Sequence, residues 1–206
     1  MYKFQYGLVL LVLLVLSSVS QAMPAEGART LVQTTADQVI AQIKNDRDAL
    51  RQDPARLHRL VDKLIIPHFD FQRMSRWVLG KYWRKASKQQ QSKFVDEFRL
   101  LLVRTYATAL LEYSDQTIKY LPVHAKSGAR SVIVKTVVEQ SSSSKVPINY
   151  RMYPGQQVWK VYDVAIDGVS LVSTYRNTFA ATIRKSGIKG LITSLVEKNQ
   201  SSKASD

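Results

Sequence analysis

The chain has 206 residues, 30 Lys plus Arg against 16 Asp plus Glu, a formal net charge of +14 and no cysteine. Hydrophobic residues at 45% and charged ones at 22% mark a globular chain, of a length that buries roughly 70% of its unfolded surface, so disordered and fibrous classes drop out. Without cysteine there is no disulfide, no thiolate nucleophile, no Cys-ligated zinc and no acylated lipoprotein anchor.

Within residues 1–22 Lys3 is the only charged side chain, Leu8 to Leu16 reads LVLLVLLVL, and Ser20 and Ala22 frame a cleavage position. This is the pattern of a secretory signal peptide cut after Ala22, because the dense apolar stretch is far shorter than the ~20 residues of a membrane span. The remainder reads as one domain over residues 23–198 with a polar tail at 199–206 that is expected to fray. A secreted address puts ATP and cytoplasmic nucleic acid out of reach.

The first half is helical by period. Spacing predicts a helix over Gly27 to Leu50 with Leu31, Ala36, Val39, Ile40 and Ile43 inward. Asp53 then Pro54 is an N-cap followed by proline at the first helical position, opening a second helix through Leu57, Leu60, Val61, Leu64 and Ile65 that Pro67 stops. A third runs from about Phe69 to Gly80. Ser87 with Gln90 is a capping box, and it opens the strongest periodic segment, Phe94, Phe98, Leu101, Leu102, Thr105, Tyr106, Ala109, Leu110 and Tyr113. That segment is expected to be the long helix on which the others pack.

From Gln116 the period changes to two and β-branched and aromatic residues take over. Strands are predicted at Thr117 to Val123, Ser131 to Gln140, Val146 to Tyr153 and Val158 to Ile166, divided by Lys126-Ser127-Gly128, Ser141 to Ser144 and Pro154-Gly155. Connections this short make an antiparallel meander. Val132, Val134, Thr136 and Val138 share one face, as do Val146, Ile148, Tyr150 and Met152, so one face of the sheet is apolar. Trp159 and Val161 carry one parity but Val164 and Ile166 the other, which predicts a β-bulge near Asp163 and a bent sheet. Helical spacing returns at Tyr175 to Lys185, Gly187 stands at a helix end, and a last helix covers Gly190 to Lys198. The expected class is α+β: helices on the concave face of a bent antiparallel sheet of about four strands, a cone enclosing an apolar cavity.

Catalytic constellations are hard to assemble. His58, His68 and His124 are isolated, with no second ligand at helical metal spacing. Gly168-Val169-Ser170-Leu171-Val172 lacks the second glycine of a nucleophile elbow, and no phosphate-cradling glycine loop is present. Asp163 and Asp167 could in principle be paired carboxylates, but they share strand parity only without a bulge between them, and no third group supports them. No metal and no cofactor is expected, and the protein is not read as an enzyme. The basic excess concentrates in Arg73, Arg76, Lys81, Arg84, Lys85, Lys88 and Lys93, interleaved with Trp77, Tyr82 and Trp83. For a secreted protein this suits anionic headgroups or an acidic partner, with Arg73, Arg76, Lys81, Arg84 and Lys85 as docking candidates; the alternative is a solvated face whose aromatics point into the core.

Four segments together resemble one family: Val78-Leu79-Gly80 with Tyr82-Trp83-Arg84-Lys85-Ala86, then Phe94 to Leu110, then Trp159-Lys160-Val161-Tyr162-Asp163-Val164, then Asp167-Gly168-Val169-Ser170. In order and spacing they are similar to the MlaC, or toluene-tolerance auxiliary, family, over about residues 30 to 198. The resemblance implies a nuclear-transport-factor-like fold whose cavity holds glycerophospholipid acyl chains while the headgroup faces water. It further implies a monomeric periplasmic carrier that maintains outer-membrane lipid asymmetry. Its implied partners are an outer-membrane lipoprotein, MlaA-like, with its porin, and an inner-membrane ABC transporter with a ring of MCE domains, MlaFEDB-like. Tyr106 and Val146 carry over from the family as acyl-chain contacts. The expected lining is Leu79 and Trp83, Phe98, Leu102, Tyr106 and Leu110 from the helices, and Val134, Val146, Ile148, Tyr150, Trp159, Val161, Val164 and Val169 from the sheet. Two other readings stay open: a chaperone or binding module for a lipid anchor or hydrophobic peptide, and an enzyme on this fold.

Overall fold

The computed structural model describes residues 23–112, 116–126, 129–139 and 145–204. The predicted signal peptide, the serine run and Tyr113 lie outside the described residues, as does part of the Lys126-Ser127-Gly128 turn.

Helix α1, Ala25–Gln52, is kinked at Asp46, whose φ of −123° and ψ of 19° leave the helical region. The Asp53 carboxylate caps α2, Pro54–Leu64, accepting from the Arg56 backbone N–H at 3.0 Å. Asp70 caps α3, Phe71–Leu79, accepting from Arg73 N at 2.8 Å. Gly80 ends that helix at φ +52°, ψ −121°, where a Cβ would also press on the Arg176 guanidinium at 3.1 Å. The capping box opens α4, Lys88–Tyr106, with Gln90 N to Ser87 Oγ at 3.1 Å and Ser87 N to Gln90 Oε1 at 2.9 Å. Its 19 residues are fewer than the 28 of α1, so the expectation that it would be the long helix is corrected: after Ala107 the chain tightens into a 3₁₀ turn, Thr108–Glu112.

The sheet holds β1, Thr117–Tyr120; β2, Val132–Glu139; β3, Lys145–Pro154; β4, Trp159–Ile166; and the two-residue β5, Val169–Ser170. The order is β1-β2-β3-β4-β5, antiparallel throughout, one short strand more than the period-two segments predict. Arg151 pairs with Asp163 while Met152 pairs with Val161, so Tyr162 is the inserted residue of a bulge one place from its predicted position. Asp167 at φ +50° and Gly168 at φ +79° form the two-residue β4–β5 turn, a conformation open to Asp and Gly.

Helix α5, Leu171–Ala204, absorbs both predicted C-terminal helices, broken only at Gly187 (φ +71°, ψ 178°). The tail does not fray at residue 199. Asn199 is buried, and its Nδ2 donates to the Glu97 carbonyl at 3.0 Å and to Glu97 Oε2 at 2.7 Å, fastening the last turns of α5 to α4. A polar composition conceals such a fastening because one buried amide satisfies it.

Candidate functional site

Buried apolar residues gather in three clusters. The helical cluster joins α3, α4 and α5, with Leu79, Trp83, Phe98 and Leu102 among Phe94, Phe179 and Leu191. The sheet cluster contains Val134, Trp159, Val161 and Val164, with Met152 and, from the start of α1, Ala28 and Val32; Ile148 and Tyr150 pack on it half-buried. The third joins α1, α2 and the end of α4, and Leu110 packs there.

Strand β4 divides the first two. Trp159, Val161 and Val164 enter the sheet cluster, whereas bulged Tyr162 enters the helical one. The expected lining is therefore not one surface. Six of its sheet members, Val134, Ile148, Tyr150, Trp159, Val161 and Val164, come together, while Leu79, Trp83, Phe98 and Leu102 sit in helical core. Tyr106 is half-buried against the helical cluster, Val146 half-buried opposite Val138, and Val169 is 59% exposed outside all three clusters. Helical period names the buried face of a helix but not the neighbour that face meets.

Leu31, Tyr120, Ile148, Tyr150, Ile166 and Leu171 ring the sheet cluster with accessible surface remaining. Burial pushes the Tyr150 phenol up, against the opposing hydrogen bond of Thr136, yet Tyr150 also keeps accessible area. Burial first, and Tyr106 second, push the Tyr175 phenol up to about 12. On the sheet face Thr136 Oγ1 donates to the Ile148 carbonyl at 3.1 Å.

The motifs that suggested chemistry are structural. Asp163, 3% exposed, accepts from Val172 N through Oδ1 at 3.1 Å and from the Ser170 hydroxyl through Oδ2 at 2.7 Å, and Ser170 Oγ accepts from Ser173 N at 3.1 Å. Together they cap the start of α5, so Ser170 is a helix cap, and Asp167 is an exposed turn residue rather than a carboxylate partner. Asp163→Ala is expected to cost roughly 2–3 kcal/mol in urea unfolding, because it removes a charged acceptor from two buried donors.

In the basic run, Trp83 is buried, Tyr82 half-buried, and Trp77 44% exposed with its ring 5.5 Å from that of Tyr162. Arg73 is set apart from the other docking candidates. Its guanidinium lies 4.0 Å from the Tyr153 ring centre and 5.1 Å from that of Tyr162, while Tyr153 Oη donates to Asp70 Oδ2 at 2.5 Å. Arg76, Lys81, Arg84 and Lys85 are exposed. Burial and Lys160 lower the His68 pKa, and among the described residues no three of His, Asp and Glu gather as a metal site. Among the described residues no helix is long and apolar enough to cross a membrane.

The arrangement defines a class: an α+β domain with a one-sided apolar sheet face under helices. The chain belongs to the MlaC protein family, whose model matches residues 33–197. It is 26% identical over 164 residues to the toluene tolerance protein ttg2D of Pseudomonas putida, covering 79% of this chain and 76% of that protein. It is also 26% identical over 168 residues to the intermembrane phospholipid transport system binding protein MlaC of Haemophilus influenzae, covering 80% of this chain and 78% of that one. Among solved structures, the phospholipid-binding protein of Ralstonia solanacearum, determined in complex with a phospholipid, matches with TM-score 0.79 and 37% identity over 85% of this chain and 98% of that chain.

Proposed function

We propose that this protein is a periplasmic carrier that holds glycerophospholipid acyl chains at the seam between the apolar sheet face and the helices. It would shuttle the lipid between outer- and inner-membrane complexes and so maintain outer-membrane lipid asymmetry. The observation that carries this reading is the one-sided apolar face of the sheet, where Val134, Met152, Trp159, Val161 and Val164 gather beneath the start of α1 with half-buried Ile148 and Tyr150 beside them. The phospholipid in the Ralstonia relative supports it.

Energetics explain why a carrier is needed. Each buried methylene is worth ~0.8 kcal/mol, so exposing two acyl chains to water costs on the order of 20 kcal/mol and unaided crossing of an aqueous gap is negligible. The carrier hides the chains without covalent chemistry. Val134, Val146, Ile148, Tyr150, Trp159, Val161 and Val164 are the proposed sheet-side lining, and Tyr106 of α4, half-buried against the helical cluster, is the proposed contact from the helices. Exposed Arg76, Lys81, Arg84 and Lys85 provide docking charge toward anionic headgroups or an acidic partner, at ~1 kcal/mol per residue near an anionic surface.

Protein purified from the periplasm without detergent, extracted with organic solvent and analysed beside a native mass spectrum, is expected to yield near-stoichiometric phospholipid. An empty protein that also takes no lipid from vesicles overturns the reading. A co-purifying peptide or lipidated protein in its place supports a chaperone instead.

A further inference from the structure

Away from the sheet lies a second opening. A cleft of about 210 Å³ is bounded by the last turn of α1, the first turns of α2, the end of α4 and the last turns of α5, and none of its lining residues comes from the sheet. Leu57 and Leu111, both buried, contribute an apolar floor. Arg51, His58, Arg104 and Lys198 stand around it, and no carboxylate is among the lining residues.

Two polar groups here are incompletely used. Arg104 Nη1 donates to the Asn199 carbonyl, but its Nε is buried without a hydrogen-bond partner, as is Asn199 Oδ1. Glu97, the carboxylate whose charge acts on Arg104, is already occupied: it accepts from Asn199 Nδ2 at 2.7 Å and pairs with Lys93 Nζ at 2.8 Å. A guanidinium lining a cleft with a leucine floor, a cationic rim and no carboxylate matches an anion with an apolar body. The volume exceeds the ~150 Å³ cavity that holds benzene and falls short of the ~300 Å³ at which drug-sized pockets begin. We infer that this cleft binds small amphipathic carboxylates, with Arg104 taking the carboxylate and the leucines the apolar body. The inference is independent of the lipid reading, since the two sites share no lining residue.

Titration of the purified full-length mature protein with benzoate, followed by amide NMR shifts, tests it. Saturable one-site binding is expected, with shifts confined to α2, the end of α4 and the end of α5. Benzyl alcohol, the same body without the charge, is expected to bind roughly tenfold more weakly. Arg104→Gln is expected to remove that preference. Because Arg104 also holds Asn199, Lys198→Gln serves as a second variant on the exposed rim, expected to weaken benzoate severalfold and leave benzyl alcohol unchanged. Equal affinity for the two probes, absence of saturation, or shifts centred on β3 would overturn the inference.

Discussion

Val146→Asp is expected to release the bound phospholipid almost completely while lowering Tm by only a few degrees. Val146 shares the apolar face of β3 with Ile148 and Tyr150, pairs with Val138 near the strand end, and is half-buried. Half-burial keeps the folding cost near the ordinary surface-to-boundary value of about 1 kcal/mol, because a carboxylate there can still reach water when the seam is empty. Filling the seam with acyl chains removes that water. The carboxylate then meets hydrocarbon, and binding becomes unfavourable by several kcal/mol. Phospholipid per protein by mass spectrometry, beside a thermal melt, checks both halves of the expectation. Retention of a full complement of lipid would place the chains elsewhere.

Phe98→Ala is expected to do the opposite. Phe98 is wholly buried, its ring 5.6 Å from Phe94, 5.3 Å from Tyr175 and 6.0 Å from Phe179. Its truncation leaves a cavity where three helices meet and costs about 3–5 kcal/mol, which for a chain of this size is a fall in Tm of roughly 10 °C. The folded fraction is expected to keep its lipid, because Phe98 lies in the helical cluster and not on the sheet face. Loss of lipid with little loss of stability would restore Phe98 to the lining that its periodicity first suggested. The pair of variants separates packing from cargo space, which burial alone does not.

Local chemistry was the most readable part of the sequence. Asp53-Pro54, the Ser87 and Gln90 box and the parity change before Val164 each involve groups within a few residues of one another, and each forms the expected cap or bulge. The meander was legible for the same reason, since every strand pairs with its neighbour in the chain. Tertiary choices were not. Nothing in the spacing of Leu79 and Phe98 says that they meet Phe179 of α5 and not Val134 of the sheet. Asn199 sits in a polar tail by composition, and only the buried carbonyl and carboxylate of Glu97, distant in sequence, make it a fastening. Likewise the carboxylate of Asp163 and the hydroxyl of Ser170 look catalytic as a list of residue types, and become a helix cap only once β4 and α5 are joined.

The order of the strands also sets an order of assembly. Each β pairing closes a short loop, so the sheet can form early and at small entropic cost. The apolar face it creates is covered by the start of α1, where Trp159 Nε1 donates to the Pro24 carbonyl at 3.2 Å across 135 residues. That closure spans most of the chain and therefore falls late. The sheet face is built by pairing between neighbours in the chain and covered by a contact that spans most of it, so the cover contributed by the start of α1 is the part of the fold of highest contact order.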